Sequence, residues 1–279
     1  MIVKVLFYHQ YKKKRDFMNN FQFHTALNTS SAKEVFSSNE NAKFLSGGMT
    51  LLPSMKHGLI QPEHLIDLCK IPNLNQIRDS QEYLIIGATT KHDTVANSDI
   101  VKSSIPGLAM LASLIGDPQV RARGTIGGSL ANNDPAADYP AGALALKAQI
   151  VTDRREISAD DFFTGFYSTA LEEDEIITEI KFAKPVKSVY EKCKQSASGY
   201  ALAGVFIAVY PNNEIRVAVT GVGAGVFRWK EAEVAFLNSD TKPVLDRDDL
   251  ISDLHAPSAY RVNMAQVLFN KAASKIKNN

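Results

Sequence analysis

Two short stretches carry residue types suited to holding a diphosphate. One reads Ser46-Gly47-Gly48-Met49-Thr50 and the other Thr125-Ile126-Gly127-Gly128-Ser129. Each is a Gly-Gly pair flanked by hydroxyl residues beside a short strand pattern. Successive backbone N–H groups in a tight turn form a concave anion-binding nest. Glycine permits the positive φ angles of such turns and leaves no Cβ between backbone and phosphate. Ser46, Thr50, Thr125 and Ser129 add hydroxyl donors. Thr50 also stands where a helix is expected to start, and unpaired N–H groups there favour anions. The two loops can therefore hold a pyrophosphate without Lys or Arg. Two purely structural turns are the competing reading of the same residues.

The chain after the second loop reads Leu130-Ala-Asn132-Asn133-Asp134-Pro-Ala-Ala-Asp138. Backbone without regular structure must find partners for its N–H and C=O groups. Asn and Asp side chains can supply them as turn caps, or can bond a ribityl or ribose hydroxyl. Other candidates are weaker. Gly221-Val-Gly-Ala-Gly225 resembles a dinucleotide fingerprint, but Val226 occupies the place of the final glycine, so a structural turn is expected. His92 is expected to cap a helix start or lie on the surface. Arg121 and Arg123 are expected to anchor their own loop through carboxylates. No H-E-x-x-H and no G-x-S-x-G sequence is present, so neither a zinc site nor a nucleophile elbow is indicated.

Composition excludes several classes. With 279 residues, 45% hydrophobic and 22% charged, the chain has an ordinary globular make-up rather than a disordered or fibrous one. Lys and Arg number 31 against 30 Asp and Glu, so no basic excess points to nucleic acid. No apolar run is long enough for a transmembrane helix. Cys69 and Cys193 are too few to hold an iron–sulfur cluster, and two thiols without a secretion signal suit the cytoplasm. Met1 to Phe17 bears Lys4, Lys12, Lys13, Lys14 and Arg15, and the cluster from Lys12 lies after its apolar stretch, the wrong order for a signal peptide. It reads as an N-terminal extension, disordered or an over-called start, ahead of a domain opening at Met18.

The elements that must position the loops follow from pattern. Ser31 and Glu34 fit a capping box opening a short helix. Ala42 to Leu45 reads as a strand entering the first loop, and Thr50 to His57 as one or two helical turns. Leu65 to Leu68 and Tyr83 to Ala88 read as strands, Pro106 to Ile115 as a helix. Gln119 to Asp138 is dense in Gly, Asn, Asp and Pro and reads as loop with at most a buried turn. Tyr139 to Lys147 reads as helix, and Gln149 to Val151 and Glu175 to Phe182 as strands. Ala201 to Tyr210 and Ile215 to Val222 form a hairpin pattern, and Trp229 to Leu237 and Ser258 to Ile276 look helical. The irregular order favours α+β over a doubly wound sheet. A domain boundary is expected near Lys184-Pro185, giving units 18–184 (in two parts, about 18–74 and 75–184) and 185–279.

Three motifs in order make a resemblance specific: Ser46 to Thr50 with Leu51-Leu52-Pro53, Arg121-Ala-Arg-Gly-Thr-Ile-Gly-Gly-Ser129, and Asp134-Pro-Ala-Ala-Asp138. Together they resemble the FAD-binding medium subunits of molybdenum hydroxylases, the carbon monoxide dehydrogenase, xanthine dehydrogenase and aldehyde oxidoreductase family. The likeness runs from about Phe21 to Ala273. It implies a two-part FAD-binding domain of the p-cresol methylhydroxylase and vanillyl-alcohol oxidase type, followed by a smaller C-terminal α+β domain. It further implies cofactor-binding positions at Ser46, Gly47, Gly48, Met49, Thr50 and Leu51, and at Thr125, Ile126, Gly127, Gly128 and Ser129. Asp138 matches an acidic cofactor contact beyond the diphosphate, Lys194 a basic position near the flavin, and Tyr200 an aromatic against the isoalloxazine. Ser46, Met49 and Ser129 depart from the residues usual there.

By this resemblance the chain is an electron-transfer oxidoreductase subunit with no catalytic or metal-ligating residue of its own. Partner iron–sulfur and molybdenum subunits, in a dimer of heterotrimers, hold two [2Fe–2S] clusters and the molybdenum–pterin. Electrons pass from the clusters through FAD to an external acceptor. Two other functions remain open on the sequence: a self-contained FAD-dependent oxidase on a related fold, and a scaffold that has lost FAD.

Overall fold

Side-chain caps start several of the described helices. In a computed structural model, which describes residues 20–238 and 243–278, Asn28 caps α1 (Thr29–Ser38) by accepting from the Ser31 N–H at 2.7 Å. The Asn28 N–H in turn donates to the Ser31 hydroxyl, so the capping box is Asn28–Ser31 rather than Ser31–Glu34. The N-terminal extension read from the sequence lies outside the described residues.

Strands β1 (Gln22–Thr25), β2 (Ala42–Leu45) and β3 (His64–Asp67) form a small parallel sheet with β3 in the middle. A short helix, α2 (Leu51–Lys56), follows β2. Next comes a five-stranded antiparallel sheet of β4 (Ile77–Asp79), β5 (Tyr83–Gly87), β6 (Gln149–Thr152), β7 (Glu156–Ser158) and β10 (Ile177–Ala183), with β10 central. A small hairpin, β8 (Phe163–Gly165) and β9 (Ser168–Thr169), lies between them in the chain. Between β5 and β6 come α3 (His92–Asn97), α4 (Asp99–Ser104), α5 (Pro106–Ser113), α6 (Pro118–Arg123), α7 (Ile126–Asn132) and α8 (Tyr139–Ala145).

The segment expected to be loop is thus largely helical. Asp117 accepts from the Val120 N–H at 2.8 Å with Pro118 in the first turn, and Thr125 caps α7 by accepting from the Gly128 N–H. Two N-caps outweigh the turn-rich composition around them. Asn133 then ends α7 in a left-handed conformation, φ +42°, and its side-chain amide donates to Gly165 and Ser168, holding the β8–β9 hairpin.

The last sheet is antiparallel, in the order β11 (Lys187–Lys194), β12 (Ala201–Val209), β13 (Ile215–Thr220) and β14 (Phe227–Arg228). Strand β12 is apolar throughout because both its faces are covered. Phe206 and Ala208 join the main core with Leu108, Leu144 and Ile180, while Ala203, Val205 and Ile207 face a second core with Trp229 and Phe269. The second core is closed by α10 (Lys230–Leu237) and α11 (Ser258–Asn278), with the small α9 (Ala159–Phe162) on the first. The main core therefore crosses Lys184, drawing residues from both sides of it. The architecture is α+β, as expected, and no described helix is long and apolar enough to cross a membrane.

Candidate functional site

Strand β2 ends at Leu45, and the first Gly-Gly loop turns the chain into α2. Gly48 makes that turn with φ +71°, and its carbonyl accepts from the Leu52 N–H. The N–H groups of Gly47, Gly48, Met49 and Thr50 bond no other described residue, so a run of four donors is open. Gly47 has a different task. A Cβ there would collide with the Arg123 carbonyl oxygen and lie 2.6 Å from the Gly124 Cα, so its bareness lets the two loops touch. Ser46 Oγ and Thr125 Oγ1, 2.8 Å apart, join them with a hydrogen bond.

The second Gly-Gly pair differs from expectation. Gly127 and Gly128 lie in the first turn of α7, without positive φ. Its amides are already engaged: Ile126 N–H donates to Thr90, Gly127 N–H to Ala88 at 2.8 Å, Gly128 N–H to Thr125 Oγ1, and Ser129 N–H to Thr125. This stretch offers no amide nest. Gly127 is bare because a Cβ would press on Ala88. At Gly128 a Cβ would meet Thr125 Oγ1 at 3.0 Å and Ser46 Cβ at 4.0 Å, so it points into the gap between the two hydroxyls. The first loop supplies donors, and the second supplies hydroxyls and an open face.

Both loops line a cleft of about 570 Å³, within the usual range for cofactor pockets. Ser46, Gly47, Gly48, Met49, Thr50 and Leu51 form one wall; Thr125, Gly127, Gly128 and Ser129 form another. Ile126 is instead buried in the core. Tyr200 lines the far end, presented by a loop in which the Gln195 carbonyl and side chain accept from Gly199 and Ser198. Gly199, φ +74°, lies backbone to backbone against Gly116, where a Cβ would come within 2.9 Å of the Gly116 Cα.

Asp138 lines the cleft but is 5% exposed, with both oxygens occupied. It accepts from Tyr190 OH at 2.5 Å and from Lys192 Nζ at 2.8 Å. Lys192 also donates to the Leu114 carbonyl at 3.1 Å. Burial pushes the Asp138 carboxyl above its usual range, against the pull of Lys192 and Tyr190. Gly204, paired with Lys192 across the sheet, is bare because a Cβ would collide with the Tyr190 hydroxyl. Lys194, two residues on, is exposed past a register shift at the end of β11 and is not a cleft-lining residue. Lys192 and Tyr190 went unseen in the sequence; their signal was alternation along β11 opposite a glycine in an otherwise apolar strand.

Other residues match expectation in part. His92 is buried rather than exposed, lines the cleft, and opens α3 with its N–H on the Gly124 carbonyl. Burial and the nearby Arg121 charge lower its pKa to about 4, so it is neutral at pH 7. Arg121 anchors its loop through the Ile115 carbonyl, at 2.9 Å, not through a carboxylate. Asp134 acts as a turn cap, accepting from the Ala136 N–H and the Tyr167 hydroxyl. Glu175, at the cleft, takes two bonds from Arg155 that hold its carboxyl at about pKa 2, with Thr152 adding a third. Gly221, φ +80°, makes the structural turn expected of it, its N–H on the Pro135 carbonyl.

Open amides on a positive-φ glycine turn, hydroxyls from two loops and a face without Cβ suit a diphosphate, so the residues present fit FAD. Residues 19–185 match the sequence pattern of the FAD binding domain in molybdopterin dehydrogenase. The carbon monoxide dehydrogenase medium chain of Hydrogenophaga pseudoflava is 40% identical over 220 residues, covering 75% of this chain and 77% of its own. The nicotine 6-hydroxylase medium subunit of Paenarthrobacter nicotinovorans is 34% identical, covering 86% and 91%. The solved carbon monoxide dehydrogenase of H. pseudoflava lacking the Mo-pyranopterin moiety superposes with a TM-score of 0.84 at 34% identity, covering 93% of this chain and 98% of that one. The chain belongs to this family: it is a medium, FAD-binding subunit of the molybdenum hydroxylase type of dehydrogenase, an oxidoreductase.

Proposed function

We propose that the chain holds FAD in this cleft and relays electrons from [2Fe–2S] clusters of a partner subunit to an external acceptor. FAD when bound supplies the redox chemistry, exchanging electrons with both one- and two-electron partners. The open N–H groups of Gly47 to Thr50 bind the diphosphate, assisted by the Ser129 hydroxyl and by whichever of the bonded Ser46 and Thr125 hydroxyls does not donate to the other. Gly128 leaves room for it, and Tyr200 borders the isoalloxazine. Asp138 is tied to Lys192 and Tyr190, so it acts by keeping that wall in place as well as by any contact of its own. The molybdenum centre and the clusters belong to partner subunits, in a dimer of heterotrimers in the cytoplasm.

The convergence of unpaired amides, paired hydroxyls and the open Gly128 face in one cleft carries this reading. Its test is the tagged full chain, purified alone and with its partners. About one non-covalent FAD per chain is expected on acid release. Iron and molybdenum should co-purify with the complex. The lone chain should pass electrons from a small reductant to a dye without oxidising an aldehyde, a purine or carbon monoxide. Substrate-dependent bleaching of the flavin by the lone chain would replace this reading with a self-contained oxidase.

A further inference from the structure

Behind the contact between the two loops lies a third layer. Gly47 rests on Gly124, and Gly124 rests on the His92 ring: a Cβ on Gly124 would come 2.5 Å from His92 Nε2 and 2.8 Å from Cδ2. Gly124 and His92 both line the cleft, so the bare glycine leaves the imidazole edge open toward it. The ring is fixed in place. Its backbone N–H is held by Gly124 at 3.0 Å, and the ring lies tilted against that of Tyr139 at a centroid distance of 5.3 Å.

The chemistry of the two nitrogens then differs. Nδ1 is sealed and has no partner. No described residue bonds Nε2 either, but it lies on the Gly124 side. A neutral imidazole carries one N–H. A sealed donor without an acceptor is among the costliest arrangements in a protein interior, and an unpaired acceptor is better tolerated. The proton therefore belongs on Nε2, where the cleft can offer an acceptor. The low pKa keeps the ring a neutral donor across physiological pH.

We infer that His92 is a further cofactor-binding residue, donating from Nε2 past Gly124 to the FAD diphosphate. The inference rests on the reading that this cleft holds that diphosphate. It adds a side-chain donor from beneath the loops to the backbone donors of the first loop. It also gives Gly124 a function: any side chain there would shut the imidazole off from the cleft.

The test titrates the flavin-free full chain with FAD and with riboflavin, which has no phosphate. His92→Phe and His92→Asn remove a donor at the Nε2 position, whereas His92→Gln places an amide N–H there. FAD affinity is expected to fall about tenfold or more in the Phe and Asn variants, the size of one charge-assisted bond. It should return to within about threefold of the unaltered chain in the Gln variant. Riboflavin affinity should be unchanged in all three, and flavin-free melting temperatures show which variants are folded. If folded Asn or Phe variants bind FAD as the unaltered chain does, or if Gln is as weak as Asn, the inference is overturned and His92 is packing alone. Failure of the unaltered chain to bind FAD would overturn the cleft assignment itself.

Discussion

The most discriminating perturbation is a side chain at Gly128. Three of the four loop glycines are needed by the fold: Gly47 for the Arg123–Gly124 contact, Gly48 for its positive φ, Gly127 for the approach to Ala88. Gly128 is helical, and its missing Cβ points between Ser46 and Thr125. A Cβ at Gly128 would sit 3.0 Å from Thr125 Oγ1, so that hydroxyl must shift slightly. Replacing a helical glycine by alanine stabilises a helix by about 0.8–1.0 kcal/mol, which offsets the shift in Gly128→Ala, and Gly128→Val counts only where it is shown to be folded. The phosphate has no such compensation. A branched side chain fills the gap between the hydroxyls and pushes the diphosphate off at least two charge-assisted bonds. At about 1.5–3 kcal/mol each, that is roughly 3–6 kcal/mol, over a hundredfold in affinity. Ser129→Ala removes one hydroxyl and should cost no more than about 1.5–3 kcal/mol. The measurement is the FAD dissociation constant by flavin fluorescence, after circular dichroism has shown each variant folded. If Ser129→Ala loses the flavin while folded Gly128→Val keeps it, the open-face account is wrong and side chains lead the binding.

Three further outcomes are expected. Gly47→Ala should overpack the loop contact and lower stability by about 1–3 kcal/mol, read as a lower urea midpoint even without flavin. Lys192→Met should leave the buried Asp138 carboxylate uncompensated and cost about 3–5 kcal/mol, whereas Lys194→Met on the exposed end of β11 should shift stability by less than about 0.5 kcal/mol. Equal effects from the two would refute the distinction between them. In the flavin-free chain, His92 titrates near 4 when folded against 6.5 when free, so acidification protonates the unfolded state first. Its contribution is complete above pH 6.5 and is lost as the pH falls toward 4, up to about 3 kcal/mol in all. His92→Gln should flatten the urea-midpoint curve over that window, and an unchanged slope would place the acid sensitivity elsewhere.

The strands and helices that bury a clear face were legible in sequence. Strand β2, the β12–β13 hairpin and α5 stand where their patterns put them, because burial and periodicity coincide there. Residues 119–138 read as loop because Asn, Asp and Gly signal both turns and helix caps. Only the partner of Thr125 Oγ1, the Gly128 N–H, decides between them. The loops were identifiable as a candidate phosphate site, but which of their amides the fold leaves open was not. Whether an amide is free depends on Ala88 and Thr90, which lie far earlier in the chain. Lys192 and His92 escaped for a related reason. A lysine between a glutamate and a second lysine two residues on, and a histidine beside an aspartate, look solvated until the fold seals them.

The Asp138 ion pair bears on the order in which the molecule can be completed. Residues 19–185 cover both loops and Asp138, yet Tyr190 and Lys192, its two partners, come later in the chain, as does Tyr200 on the cleft wall. During synthesis the loops emerge first, while the carboxylate they lead to has no cation. The main core also takes Tyr190 from β11, so this region is incomplete until β11 has been made. A fragment cut at the edge of the matched region would carry both loops and Asp138 without the lysine that lets this carboxylate be buried.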